Sequence, residues 1–143
     1  MTLRVLVPVD ERLGSVRTIN YLIKNKEIFS PVVSLLTVYD VSLVEGHGLS
    51  SDFLEKIREN AQKLAEKTVN GYKEKLEKEG IYVENAYAVE GNPGETICKE
   101  SEKLSVNMIV LSPNNASELA NILMGSVTHY IIHHSNFPVL LVK

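Results

Sequence analysis

Apolar and polar positions along this chain switch repeatedly between strand-like runs and helix-spaced stripes. Leu3-Arg4-Val5-Leu6-Val7-Pro8-Val9 is a near-continuous aliphatic run, the pattern of a parallel strand covered on both faces. Pro8 gives up one ladder donor, so regular pairing should stop close to it, leaving Asp10 at the strand's carboxyl end. Val16, Ile19, Leu22 and Ile23 then recur at helical spacing, with Ser15 as the expected N-cap. Val32 to Tyr39 is the second run, followed by Asp40 and a loop to Ser50 that holds Gly46 and Gly48,. A long helix is predicted from Asp52 to about Glu79. Asp52 and Glu55 fit a capping box, and Phe53, Ile57, Ala61, Leu64, Ala65, Tyr72 and Leu76 form one stripe,. Gly80 suits its end.

The second half continues the alternation. Ile81 to Val89 predicts a third strand. Asn92-Pro93-Gly94-Glu95 opens a helix, with Asn92 as cap, Pro93 at the first helical position and Glu95 as the box partner,. Ile97, Cys98, Ser101 and Leu104 fall on its inner face. Val106 to Leu111 is the fourth strand, and Ser112-Pro113-Asn114-Asn115 is a polar turn. A short helical stretch around Glu118 to Leu123, a full helix from Ser126 to His134 and a strand from Pro138 to Val142 complete the pattern. With right-handed crossovers this gives an α/β domain spanning 1–143, an open and mostly parallel five-stranded sheet with helices on both faces. Its ligand crevice should open at the carboxyl ends of the strands, flanked by the first and fourth, where Asp10, Asp40 and the turn from Ser112 gather.

Composition narrows the classes. Hydrophobic residues make up 44% of the chain, which excludes a disordered tail. A net charge of -3 supplies no field for nucleic acid or an anionic membrane. No apolar run approaches the roughly 20 residues of a membrane span, and because Met1 leads straight into a strand no signal peptide is expected. A single cysteine, Cys98, makes no internal disulfide. A cytoplasmic location is the expectation.

Candidate chemistry concentrates at Gly125-Ser126. A helix start there offers free backbone N–H groups and a hydroxyl to a phosphate; the alternative is that Gly125 ends one helix and Ser126 caps the next. His129 and His133 stand four apart, but no third ligand accompanies them, so no metal site is predicted. Cys98 lies on an apolar stripe and reads as a core side chain.

These segments together resemble the universal stress protein family over nearly the whole chain. Val5-Leu6-Val7-Pro8-Val9-Asp10 matches the family's opening strand, and Leu35-Leu36-Thr37-Val38 its second, with Thr37 where His is common. Gly91-Asn92-Pro93 followed by Ile97 matches a Gly-x-Pro-x-x-x-Ile segment, and Asn107-Met108-Ile109-Val110 stands for Asp-Leu-Ile-Val. Gly125-Ser126-Val127 and Pro138-Val139-Leu140-Leu141-Val142 match the close. The resemblance implies strand order 3-2-1-4-5 in an adenine nucleotide alpha hydrolase-like, Rossmann-like fold. It also implies a cytosolic sensor or regulator in the stress response that binds ATP or AMP, with slow ATP hydrolysis at most. Pro8, Val9 and Asp10 would line the adenosine side, and Val38 would meet adenine through its backbone. Leu111, Ser112, Asn114 and Asn115 would wrap the ribose and phosphates, while Gly125, Ser126, Val127 and Thr128 would hold phosphates. ATP would bring a bridging Mg²⁺, although no acidic cluster predicts a metal site.

One departure matters. Nucleotide-binding members carry Gly-x-x-Gly, nine residues, then Gly-Ser or Gly-Thr. Counting back from Gly125 places the first two glycines at Ser112 and Asn115. Asn tolerates positive φ, whereas Ser112 adds a Cβ and Pro113 has no N–H to offer. Two readings follow: a nucleotide held by a modified loop, or a dimeric interaction module that has lost the nucleotide. With the implied strand order, Val139 to Val142 forms an apolar edge that no later element covers before Lys143. Pairing with a second copy would satisfy that edge and give a homodimer.

Overall fold

In the computed structural model, residues 2–113 and 125–143 are described. The expected helical stretch from Glu118 to Leu123, and the site candidates Asn114 and Asn115, lie outside them. Five strands form one sheet in the order β3-β2-β1-β4-β5: β1 (Leu3–Pro8), β2 (Pro31–Tyr39), β3 (Tyr82–Glu90), β4 (Met108–Leu111) and β5 (Val139–Leu141). Every pairing is parallel. The central β1 sets Val5 beside Val33 on one flank and Met108 on the other. Its residues alternate between two cores. Val5 and Val7 pack on one face with Val33, Leu35 and Val110, under Ile19 and Leu22 of α1 (Leu13–Lys24) and Val69 and Leu76 of α3 (Ser51–Lys78). Leu6 packs on the other with Leu36 and Ile109, under Ile97 of α4 (Pro93–Leu104) and Ile131 of α5 (Ser126–His134). Each such fully buried aliphatic side chain contributes about 1.5–3 kcal/mol, which is why the β1 sequence reads as an unbroken apolar run.

Polar side chains settle where elements begin. The N-cap Asn92 accepts from the Glu95 N–H at 3.2 Å, with Pro93 in the first turn of α4. At the entry to β4 the Arg4 N–H donates to Asn107 Oδ1 and the Asn107 N–H to the Arg4 carbonyl, both at 2.8 Å. Asn107 thereby replaces the first rung of the ladder, and β4 starts at Met108 instead of Val106.

Two expected caps are corrected. Helix α1 begins at Leu13, with Arg12 at the N-cap position and no side-chain cap. Ser15 instead turns back to Asp10: its Oγ accepts from the Asp10 N–H at 2.8 Å and donates to Asp10 Oδ1 at 3.2 Å. The Asp10 N–H takes the place of a helix N–H as donor to that oxygen, and the carboxylate orients the hydroxyl by accepting its proton,. In α3 the cap is Ser50, which accepts from the Phe53 N–H at 3.2 Å, not Asp52. Glu55 pairs with Arg58 at 3.2 Å.

The stripe of α3 is also only half right. Ala65, Val69 and Leu76 are buried, yet Phe53 is 52% and Leu64 56% exposed. A helix of 28 residues is about 42 Å long, whereas the nine residues of β3 span about 30 Å. Roughly the first two turns of α3, with Phe53, therefore overhang the sheet,. Arg58 ties them down through Glu90 at 2.7 Å, Glu45 at 3.1 Å and Glu55. Gly80 ends this helix segment at φ +79°. The short α2 (Lys26–Phe29) and α4 end instead on serines, Ser30 at φ 42° and Ser105 at φ 50°.

Candidate functional site

The carboxyl ends of β1 and β4 part company: β2 lies beyond the first and β5 beyond the second. A cleft of about 390 Å³ opens between them. All ten described site candidates line it: Pro8 at the end of β1 with Val9 and Asp10 just after it, Val38 on β2, Leu111 and Ser112 at the end of β4, and Gly125, Ser126, Val127 and Thr128 at the start of α5. They come together because each follows a strand or opens a helix on the same edge of the sheet. One end of the cleft is apolar, walled by Leu36 and Val38 and by Pro93 and Ile97 of α4.

The other end is polar. Gly125 is the N-cap of α5 and makes no side-chain cap hydrogen bond, so Ser126 is the first helical residue and not its cap. The first-turn N–H groups of a helix lack intrahelical partners and carry the positive end of its dipole. They stand here beside the Ser126 hydroxyl, on an exposed residue, and the buried Thr128. Asp10 is fixed by Ser15, by the Arg12 N–H, which donates to Oδ1 at 2.8 Å, and by an Arg12 Nε ion pair at 3.4 Å.

Asp40, expected in the same place, does not line the cleft. Its carboxyl accepts from the Ser42 N–H at 2.9 Å, and hydrogen bonds from the Ser42 hydroxyl and N–H hold it below the usual carboxylate range. It shapes the loop after β2. His129 and His133 lie with ring centroids 4.3 Å apart and planes tilted by 47°, and no group of three or more metal-binding side chains occurs among the described residues. Cys98 packs at the edge of the α4 and α5 core; burial, then Glu102, pushes its thiol up.

Sequence reading missed the α1 wall. Glu11, Arg12, Gly14, Ser15 and Thr18 also line the cleft, and Arg17 reaches its rim, donating from Nε to Ser112 Oγ at 3.0 Å. The available signal was the run of small residues Gly14, Ser15 and Thr18 on one helix face, which lets α1 approach the strand ends closely.

The sequence matches the universal stress protein family over residues 1–143. The chain belongs to that family. Among curated relatives, universal stress protein MJ0577 of Methanocaldococcus jannaschii is 34% identical over 124 residues, 85% of this chain and 69% of that protein. Universal stress protein YxiE of Bacillus subtilis is 32% identical over 91 residues, 64% of this chain and 61% of the relative. This chain thus spans between three fifths and seven tenths of their lengths. The solved structure of MJ0577 superposes with a TM-score of 0.84 at 29% identity, covering 100% of this chain and 96% of that one. A family protein from Arabidopsis thaliana, solved with AMP bound, superposes with a TM-score of 0.71 at 17% identity, covering 99% and 91%. The strand order implied by the sequence resemblance is the order found. No helix among the described residues is long and apolar enough to cross a membrane.

Proposed function

We propose that this universal stress protein binds an adenine nucleotide, ATP or AMP, in the cleft between β1 and β4 and acts as a nucleotide-dependent regulator in the cytoplasm. The observation that carries this reading is the pairing of an apolar end, Leu36, Val38 and Ile97, with an uncapped helix start at Gly125-Ser126 in one cleft. A flat base would fill the first and a phosphate would meet the second. Asp10, beside Pro8 and Val9, would take the ribose hydroxyls. Leu111 and Ser112 would flank the sugar, and Val127 and Thr128 the phosphates. Asn114 and Asn115 remain candidates for the same loop. The AMP-bound Arabidopsis protein shares the fold and suggests the ligand class to try first. If Mg²⁺ accompanies ATP, chelation should weaken ATP binding and leave AMP binding unchanged.

Equilibrium dialysis with labelled ATP and AMP tests the reading. Binding at micromolar to submillimolar concentration is expected, and none at millimolar nucleotide rejects it.

A second reading has its own observation. Pro113 has no N–H, and Ser112, held by Arg17, puts a side chain where a glycine would let a phosphate approach the backbone,, so this stretch is a poorer phosphate cradle than glycines would be. Losing one or two charge-assisted bonds removes roughly 1.5–3 kcal/mol each. If the chain is an interaction module without nucleotide, replacing Ser112 and Asn115 with Gly should create binding that the natural chain lacks. In either case β5 pairs only with β4 among the described strands. We propose that its free edge, Val139 to Val142, joins a second copy in a homodimer. Sedimentation at micromolar concentration should give twice the chain mass, and Leu140→Lys should halve it.

A further inference from the structure

The exit of β4 is held by a residue from the far end of the chain. Arg17 of α1 donates from Nε to Ser112 Oγ at 3.0 Å and from Nη2 to the Pro113 carbonyl at 2.7 Å. Two donors on one planar guanidinium meet acceptors on successive residues, a fork that fixes orientation as well as distance. The helix that carries Arg17 is itself immobilised by Ile19 and Leu22, which are fully buried. Ser112 is 8% exposed and lines the cleft. A glycine at 112 would have no hydroxyl for Nε to reach, so this contact belongs to the Ser112–Arg17 pair and exists only because the glycine is absent.

We infer that Arg17 is a positioning residue for the cleft. Resting on the nucleotide reading above, it sets where the Ser112 wall stands against the sugar and phosphate and so sets nucleotide affinity. A side-chain clamp takes the place of a compact glycine turn. Arg17 acts through Ser112 and Pro113 and makes no contact with the nucleotide itself.

A double-mutant cycle separates this from the alternatives. AMP and ATP affinities are measured by calorimetry for the natural chain, Arg17→Met, Ser112→Ala and the double variant. Arg17→Met should weaken binding about tenfold and Ser112→Ala about threefold, and the double variant should match Arg17→Met alone. Multiplying effects, about thirtyfold for the double variant, would show that Arg17 works independently of Ser112 and overturn the inference. Full affinity in Arg17→Met overturns it too. Arg17→Lys, a single point donor, should recover only part of the affinity. Leu22→Val loosens the same helix away from the cleft, and its affinity should stay within about twofold. An equal loss there would reduce Arg17 to helix stability and end the proposal. Urea unfolding of the four proteins of the cycle, without nucleotide, tests the clamp separately. Non-additive midpoints are expected, and additive ones mean the clamp does not exist in solution. A natural chain that binds no nucleotide defeats the proposed function, and with it the effect on affinity, while the urea cycle still judges the clamp.

Discussion

Gly94 of α4 lies against the ring of Tyr130 of α5: a Cβ on Gly94 would stand 2.7 Å from Tyr130 Cδ1 and 3.0 Å from its Cβ. The nearer approach is one that Cβ atoms do not make, so either the ring or the helix backbone would have to shift. The Tyr130 ring also stacks on His134, with centroids 4.0 Å apart, a contact that moving the ring would disturb. The glycine therefore sets how closely the start of α4 approaches the middle of α5, and both helices supply walls of the cleft. Gly94→Ala should destabilise the protein by about 1–3 kcal/mol through overpacking. Urea denaturation checks the loss, and adding Tyr130→Ala should return part of it. If Gly94→Ala is neutral, the helix pair does not pack this way.

The turn after β1 makes a second expectation. Ser15 gives its hydroxyl to Asp10 and accepts the Asp10 N–H. Ser15→Ala leaves that part-buried N–H without its acceptor and should cost about 1–3 kcal/mol. Ser15→Thr keeps the hydroxyl and should cost less. The comparison is made by thermal unfolding at fixed pH.

For α3 the choice lies between two adjacent candidates. Ser50→Ala removes the side chain that caps the helix and should cost about 1 kcal/mol. Asp52→Ala removes only a charge near the positive end of the dipole and should cost a few tenths, less at high salt. A larger effect at Asp52 would restore the capping box that the sequence pattern suggested.

Alkaline pH supplies the fourth. Burial, then the hydrogen bond and charge of Glu100, push the Tyr87 phenol well above the ordinary tyrosine value; Tyr87 Oη donates to Glu100 Oε1 at 2.7 Å. A pKa raised by folding means that the folded state keeps its proton longer than the unfolded one. The associated stability is present below the unfolded value of about 10 and is lost as pH rises beyond it. Unfolding midpoints should fall above that pH in the natural chain and fall less in Tyr87→Phe. Tyrosinate absorbance identifies the late-titrating phenol.

What could be read from the sequence divides along physical lines. Strands buried on both faces announce themselves, because burial demands unbroken aliphatic runs such as Val5-Leu6-Val7. The Asn92-Pro93 start of α4 is equally plain, since cap and backbone constraint are local. The cleft was legible because strand ends and helix starts converge once the order is fixed. Contacts that depend on competition were not. Ser15 suits a helix cap until Asp10, five residues earlier, takes its hydroxyl. Phe53 fits a helical stripe, but nothing in that stripe says where the sheet beneath it ends. Gly94 and Tyr130, or Arg17 and Ser112, lie 36 and 95 positions apart in sequence, and no local pattern links them.

The two serines that terminate α2 and α4 carry a broader implication. Ser30 and Ser105 hold left-handed backbone angles that an L side chain adopts at a penalty of about 1–2 kcal/mol and that glycine adopts freely. Natural selection has left this toughness unclaimed at two surface positions. Heat endurance in this molecule can therefore be raised at two helix exits without touching its core or its cleft,.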